Sequence, residues 1–90
     1  MRKYQHLVDA IEKYNKKHNF TLEEFKNMCA SEVSVNDFVL IYAENVDVRV
    51  SFRGLCALSK ILNLSFDYIE KTARENSSPF RAKYFFYDEG

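Results

Sequence analysis

A six-residue frame recurs four times in this chain and sets most of what it can fold into: an apolar residue, then Ser or Thr, then a second apolar residue four positions after the hydroxyl. The four instances are Phe20-Thr21 with Phe25, Val33-Ser34 with Phe38, Val50-Ser51 with Leu55, and Leu64-Ser65 with Ile69. Each places a side-chain oxygen where it can accept a hydrogen bond from an orphan N–H of a first helical turn, while the flanking apolar pair closes as a hydrophobic staple. Thr21 is also followed by Glu24 at the position that completes a capping box. Four helix starts within 45 residues leave room only for short helices and tight turns.

Ahead of the first frame, Leu7, Ala10, Ile11 and Tyr14 form a helical stripe, ended by a polar, lysine-rich stretch at Asn15 to Asn19. This makes five helices. Asn63 follows Leu62 where a left-handed residue can end a helix, so helix four is expected to turn sharply into helix five. With 90 residues and an apolar fraction of 47% there is material for one core and one helical domain, placed at 1–76. Beyond it Asn76-Ser77-Ser78-Pro79 breaks helix, and 77–90 reads as an extended or β tail in which Tyr84, Phe85, Phe86 and Tyr87 have strand-favouring character. A lone strand needs a partner, so these four residues are candidates for pairing in a homodimer or for docking on the helices.

A second architecture fits the same letters. Val46, Val48, Val50 and Phe52 alternate with polar residues, and Phe38 to Ala43 is strand-friendly, with Glu44-Asn45 as a turn. The alternative to an all-α fold is therefore an α+β fold with a hairpin at 38–52, which periodicity alone does not separate from a short buried helix.

The stretch Ser51-Phe-Arg-Gly-Leu-Cys-Ala-Leu-Ser-Lys-Ile-Leu-Asn-Leu-Ser-Phe-Asp-Tyr-Ile69 resembles, without a gap, the last two helices of the Cro/C1-type (lambda-repressor-like) helix-turn-helix family. Glu44-Asn45 stands where that family often closes its recognition helix, and Thr21-Leu22-Glu23-Glu24-Phe25 resembles the usual opening of the first helix of its motif. The likeness covers roughly residues 5 to 70. It implies a five-helix DNA-binding regulator of transcription, of a kind that fits a phage or mobile element. The second helix reads longer than usual by two to four residues, which leaves two registers for the recognition helix, one capped by Ser34 and one by Asn36.

On that resemblance, Asn36, Asp37, Val39, Leu40 and Tyr42 face a partner, with Arg49 and Arg53 beside them. Asn36 can pair with adenine and an apolar side chain can touch a thymine methyl. Charge argues the other way. From Thr21 to Arg53 three cations (Lys26, Arg49, Arg53) meet six carboxylates, a formal charge of −3, whereas DNA affinity rests on neutralising phosphate. The alternative is a degenerate helix-turn-helix of antirepressor or inhibitor type, which grips a regulatory protein through an acidic, apolar face. Other cations lie at Arg2, Lys3, Lys13, Lys16, Lys17, Lys71, Arg74, Arg81 and Lys83. They read as solvated surface, although the aromatic tail beside Arg81 and Lys83 has the mixture that stacks on single-stranded nucleic acid.

Catalytic chemistry is not expected. His6 and His18 stand twelve apart with no zinc spacing around them and read as surface histidines, so no metal is implied. Gly54 and Gly90 are the only glycines, which removes a glycine-rich phosphate loop and a nucleophile elbow; no cofactor and no small-molecule substrate are expected. Cys29 and Cys56, both in apolar patterns, read as buried thiols. The polar N-terminus and a longest apolar run of only Phe38 to Ala43 point to a cytoplasmic protein with no membrane span.

Overall fold

The computed structural model describes residues 2–77 and folds them into five helices: α1 (Gln5–His18), α2 (Leu22–Met28), α3 (Val35–Tyr42), α4 (Phe52–Ile61) and α5 (Phe66–Asn76). There is no strand among the described residues. The fold is all-α, and the tail residues Tyr84 to Tyr87 lie outside the part described.

All four repeated frames begin helices. Thr21, Ser34, Ser51 and Ser65 adopt extended backbone and accept from the amides of Glu24, Asp37, Gly54 and Tyr68. The capping box at Thr21 is complete, and α3 has a second one, in which the Asp37 carboxylate accepts from the Ser34 amide. Six of the eight staple residues, Phe25, Val33, Phe38, Val50, Leu55 and Ile69, are buried, and Phe20 and Leu64 are half-buried. Two helices end on left-handed asparagines, Asn19 at φ 58° and Asn63 at φ 55°, a conformation Asn tolerates through its short polar side chain.

Around Leu7, Ile11, Phe25, Ile41, Leu58 and Ile69, none of which reaches solvent, α1 packs against α2, α3 and α5, and α5 packs against α4. The Phe25 and Phe38 rings meet edge to face at 6.1 Å and lock α2 to α3.

Two expectations are corrected here. The second helix is not lengthened: it stops at Met28, and residues 29–33 form a turn in which the Cys29 carbonyl accepts from both Glu32 (3.0 Å) and Val33 (2.8 Å). That turn drops Val33 into the core and leaves Ser34 as the cap, so the Ser34 register holds and Asn36 is not a cap.

The hairpin at 38–52 is also absent. Residues 38–42 belong to α3 and 43–51 are a loop, because the loop's backbone finds partners other than a strand. Lys3 Nζ donates to the Val48 carbonyl (2.8 Å), the Val50 amide donates to the Tyr4 hydroxyl (3.2 Å), and Arg2 Nε donates to the Tyr42 carbonyl (3.0 Å). The start of α1 thus supplies the hydrogen bonds that a second strand would have supplied.

Candidate functional site

The outer side of α3, with the first turn of α4 beside it, is the candidate site. Its geometry follows from what α3 buries. Phe38 and Ile41 point into the core at the spacing of one helical face, and Asp37 goes in with them, only 4% exposed. Its carboxylate takes up donors from two elements: the Ser51 amide at 3.1 Å and the Ser51 hydroxyl at 2.8 Å, together with the Ser34 amide at 3.4 Å. Asp37 is therefore a clamp between the caps of α3 and α4. Its expected place on the partner-facing surface is corrected: a carboxylate with three donors inside the fold has more to gain there than in solvent.

With its one charged side chain turned inward, α3 presents an apolar exterior. Val39 is 61% exposed, Asn36 is exposed, and Val35 at 77% is the most exposed large apolar side chain in the described chain. Leu40 and Tyr42 are half-buried and pack against the core, so they border the face without forming its centre. Burial is the main reason the Tyr42 phenol is held above its ordinary pKa of 10.0, with Glu12 adding to it and Arg2 opposing, so the side chain stays neutral at physiological pH.

Arg49 and Arg53 are both exposed. Arg53 Nη2 donates to the Ser31 carbonyl at 3.2 Å and ties α4 to the turn before α3. Arg49 lines a groove with Phe52, Phe66, Asp67, Glu70 and Arg74, on the α5 side of the start of α4. The two arginines so expected together are thus on separate tasks. The third cation of the stretch, Lys26, is half-buried and pairs with Glu23 at 3.6 Å.

Two residues that the sequence reading passed over belong to this surface. They are Val35, at the start of α3, and Phe52, at the start of α4, the latter 72% exposed with its ring edge-on to Phe66 at 5.1 Å in the groove that Arg49 also lines. Each directly follows a capping serine, at a position the staple does not use, but that signal is partial: Leu22 and Phe66 hold the same position in α2 and α5 and pack half-buried against the core. The acidic side chains Glu32, in the turn before α3, and Glu44 and Asp47, in the loop after it, are all exposed.

Among the described residues no cluster of His, Cys, Asp and Glu could hold a metal ion, and no helix is long and apolar enough to cross a membrane. Of the two histidines, His18 is exposed against Tyr14, whereas His6 is half-buried between Tyr4 and Tyr68, its Nε2 proton donated to the Ile69 carbonyl at 3.0 Å. The expected surface position of His6 is corrected, since it seals the contact of α1 with α5. Cys29 is buried, and its thiol donates to the Phe25 carbonyl, while Cys56 is half-buried; both are free. No protein-family model, curated protein or solved structure matches this chain.

Proposed function

We propose that this chain is a small regulator built on a Cro/C1-like helix-turn-helix, and that it acts by docking a protein partner on the outer face of α3 and the start of α4. The observation that carries the reading is the character of that face: Val35 and Val39 stand more than half exposed on a helix whose only charged side chain is buried. Exposed apolar anchors with an acidic rim suit a partner that brings apolar side chains ringed by Lys or Arg. A phosphate backbone is poorly served there. No cation lies between Lys26 and Arg49, Lys26 is already paired, and Glu32, Glu44 and Asp47 are exposed nearby.

One observation favours a second reading, in which the partner is DNA and the output is transcriptional control. The Ser34 cap leaves Asn36 exposed in the first turn of α3, where a carboxamide can bond an adenine edge in the major groove.

Titration against mixed genomic DNA fragments at about 50 and about 200 mM salt, beside affinity capture with wild-type and Val39→Asp protein, separates the two. The protein-docking reading expects no DNA shift at either salt, and a stoichiometric protein retained by wild type and by a Lys16→Glu control but lost with Val39→Asp. Salt-sensitive DNA retention abolished by Asn36→Ala would replace it with the second reading. Retention unaffected by either substitution would remove the α3 face from both.

A further inference from the structure

A second surface, remote from α3, lies along the C-terminal half of α1. Ala10, Tyr14, Ile61, Leu62 and Leu64 form the apolar part of a groove of about 530 Å³, and Lys13, Lys17 and His18 stand along its edge with no carboxylate among the lining residues. Asp9, Lys13 and Lys17 follow at intervals of four on one face of α1, so the charge along this stripe runs from negative to positive toward the C-terminus of the helix.

The segment that follows the described residues has the opposite order. After Ser77 come Arg81 and Lys83, then the aromatic run Tyr84 to Tyr87, then Asp88 and Glu89. Its point of departure is fixed: Asn76 Nδ2 donates to the Lys3 carbonyl at 3.1 Å, which sets the end of α5 beside the start of α1. From Lys3 to the groove at Ala10 to Lys17 is roughly 10 to 21 Å along the helix at 1.5 Å per residue. An extended chain leaving Ser77 covers about 23 Å by Tyr84 and about 33 Å by Tyr87. The reach exceeds what is needed, so the tail can follow α1 without full extension, and at about half of that length it brings its cations to Asp9 and its acids to Lys13 and Lys17.

We infer that residues 84–89 of the same chain occupy this groove, with the aromatic side chains on its apolar part and Asp88 and Glu89 against Lys13 and Lys17. The tail then acts as an intramolecular strap over α1. This assignment is independent of what binds α3.

The sequence has no tryptophan, so Phe86→Trp in the full chain gives a single reporter. Its emission is expected to lie to the blue of a free peptide spanning 80–90 with the same substitution, to be less quenched by acrylamide, and to be independent of protein concentration. Lys13→Glu with Lys17→Glu, both exposed positions, should lower the docked-to-free ratio about tenfold and move the emission to that of the peptide. Adding Asp88→Lys with Glu89→Lys should restore it. Emission equal to that of the free peptide in the parent chain, or loss on charge reversal without recovery on the swap, overturns the proposal. A blue shift that grows with concentration as the mass doubles in sedimentation would assign the groove to the tail of a second copy and overturn it as well.

Discussion

Gly54 offers a test of the Asp37 clamp in which the sign of a helix-favouring substitution depends on a residue 17 positions away. In an exposed helix interior Gly→Ala stabilises by about 1 kcal/mol. At Gly54, in the first turn of α4, an added Cβ would stand 2.5 Å from Asp37 Oδ2, 3.0 Å from Ser51 Oγ and 3.1 Å from Asp37 Cγ. The carboxylate would have to retreat by roughly 1 Å to reach van der Waals distance. Retreat stretches the bonds from the Ser51 amide and hydroxyl, now 3.1 and 2.8 Å, and hydrogen bonds to a charged group contribute about 1.5 to 3 kcal/mol each.

Loss of one such bond together with residual crowding, against about 1 kcal/mol of helix propensity, gives a net destabilisation of about 2 kcal/mol for Gly54→Ala, or about 10 °C in Tm for a domain of this size. In an Asp37→Ala background two of the three obstructing atoms are gone and only Ser51 Oγ at 3.0 Å remains, so the same Gly54→Ala should be neutral or stabilising by up to about 1 kcal/mol. Urea unfolding of the four proteins, followed by far-UV circular dichroism, measures the cycle. Gly54→Ala that is equally harmful with and without Asp37 would refute the clamp, and Gly54→Ala that stabilises the parent chain would refute the packing as well.

Three further outcomes are expected. Burial holds the His6 imidazole below its ordinary pKa of 6.5, with the Ile69 carbonyl and Asp9 opposing, so the unfolded chain takes up this proton first. The contribution is whole above about pH 6.5 and is lost as pH falls below it; the slope of stability against pH in that range should flatten in His6→Gln, and an unchanged slope would place its origin elsewhere. Tyr4→Phe strips the acceptor from the buried Val50 amide and should cost about 1 to 3 kcal/mol in urea unfolding with little change in helix content. Burial, opposed by the Cys29 backbone amide and aided by Glu32, raises the Cys29 thiol above its ordinary range, so a thiol reagent should label Cys56 at least tenfold faster in native protein; equal rates would mean that α2 opens readily.

The helix starts, the Asn63 turn and the helical class were legible because each is written in neighbouring residues: a cap, its staple and a left-handed asparagine all act within five positions. The path of 43–51 was not. Its backbone is satisfied by Arg2, Lys3 and Tyr4, some 40 residues upstream, and local alternation of valines carries no trace of those donors and acceptors. Asp37 was misplaced for the same reason. Its role in capping α3 is local, but the Ser51 amide and hydroxyl that draw it inward are 14 residues away. The tail, outside the described residues, could be read only as composition, because strand character is a statement about pairing that neighbouring letters do not specify.

The inward turn of Asp37 links the fold to the proposed function. A short helix with Phe38 and Ile41 committed to the core has few outward positions, and once the aspartate joins them the outward set is left to Val35, Asn36 and Val39. Keeping these valines in water forgoes roughly 1.5 to 3 kcal/mol each relative to full burial, and the exposed Phe52 on α4 forgoes a similar amount. That is the size of an interface hot spot, so a partner covering this face should lose more than tenfold in affinity when any one of the three is cut to alanine. Asp37→Ser with Gly54→Ala would leave the three side chains in place while changing the joint that orients them. If that pair of substitutions keeps the helices folded yet weakens the partner as much as Val39→Ala does, the clamp sets the angle between α3 and α4 that the partner recognises.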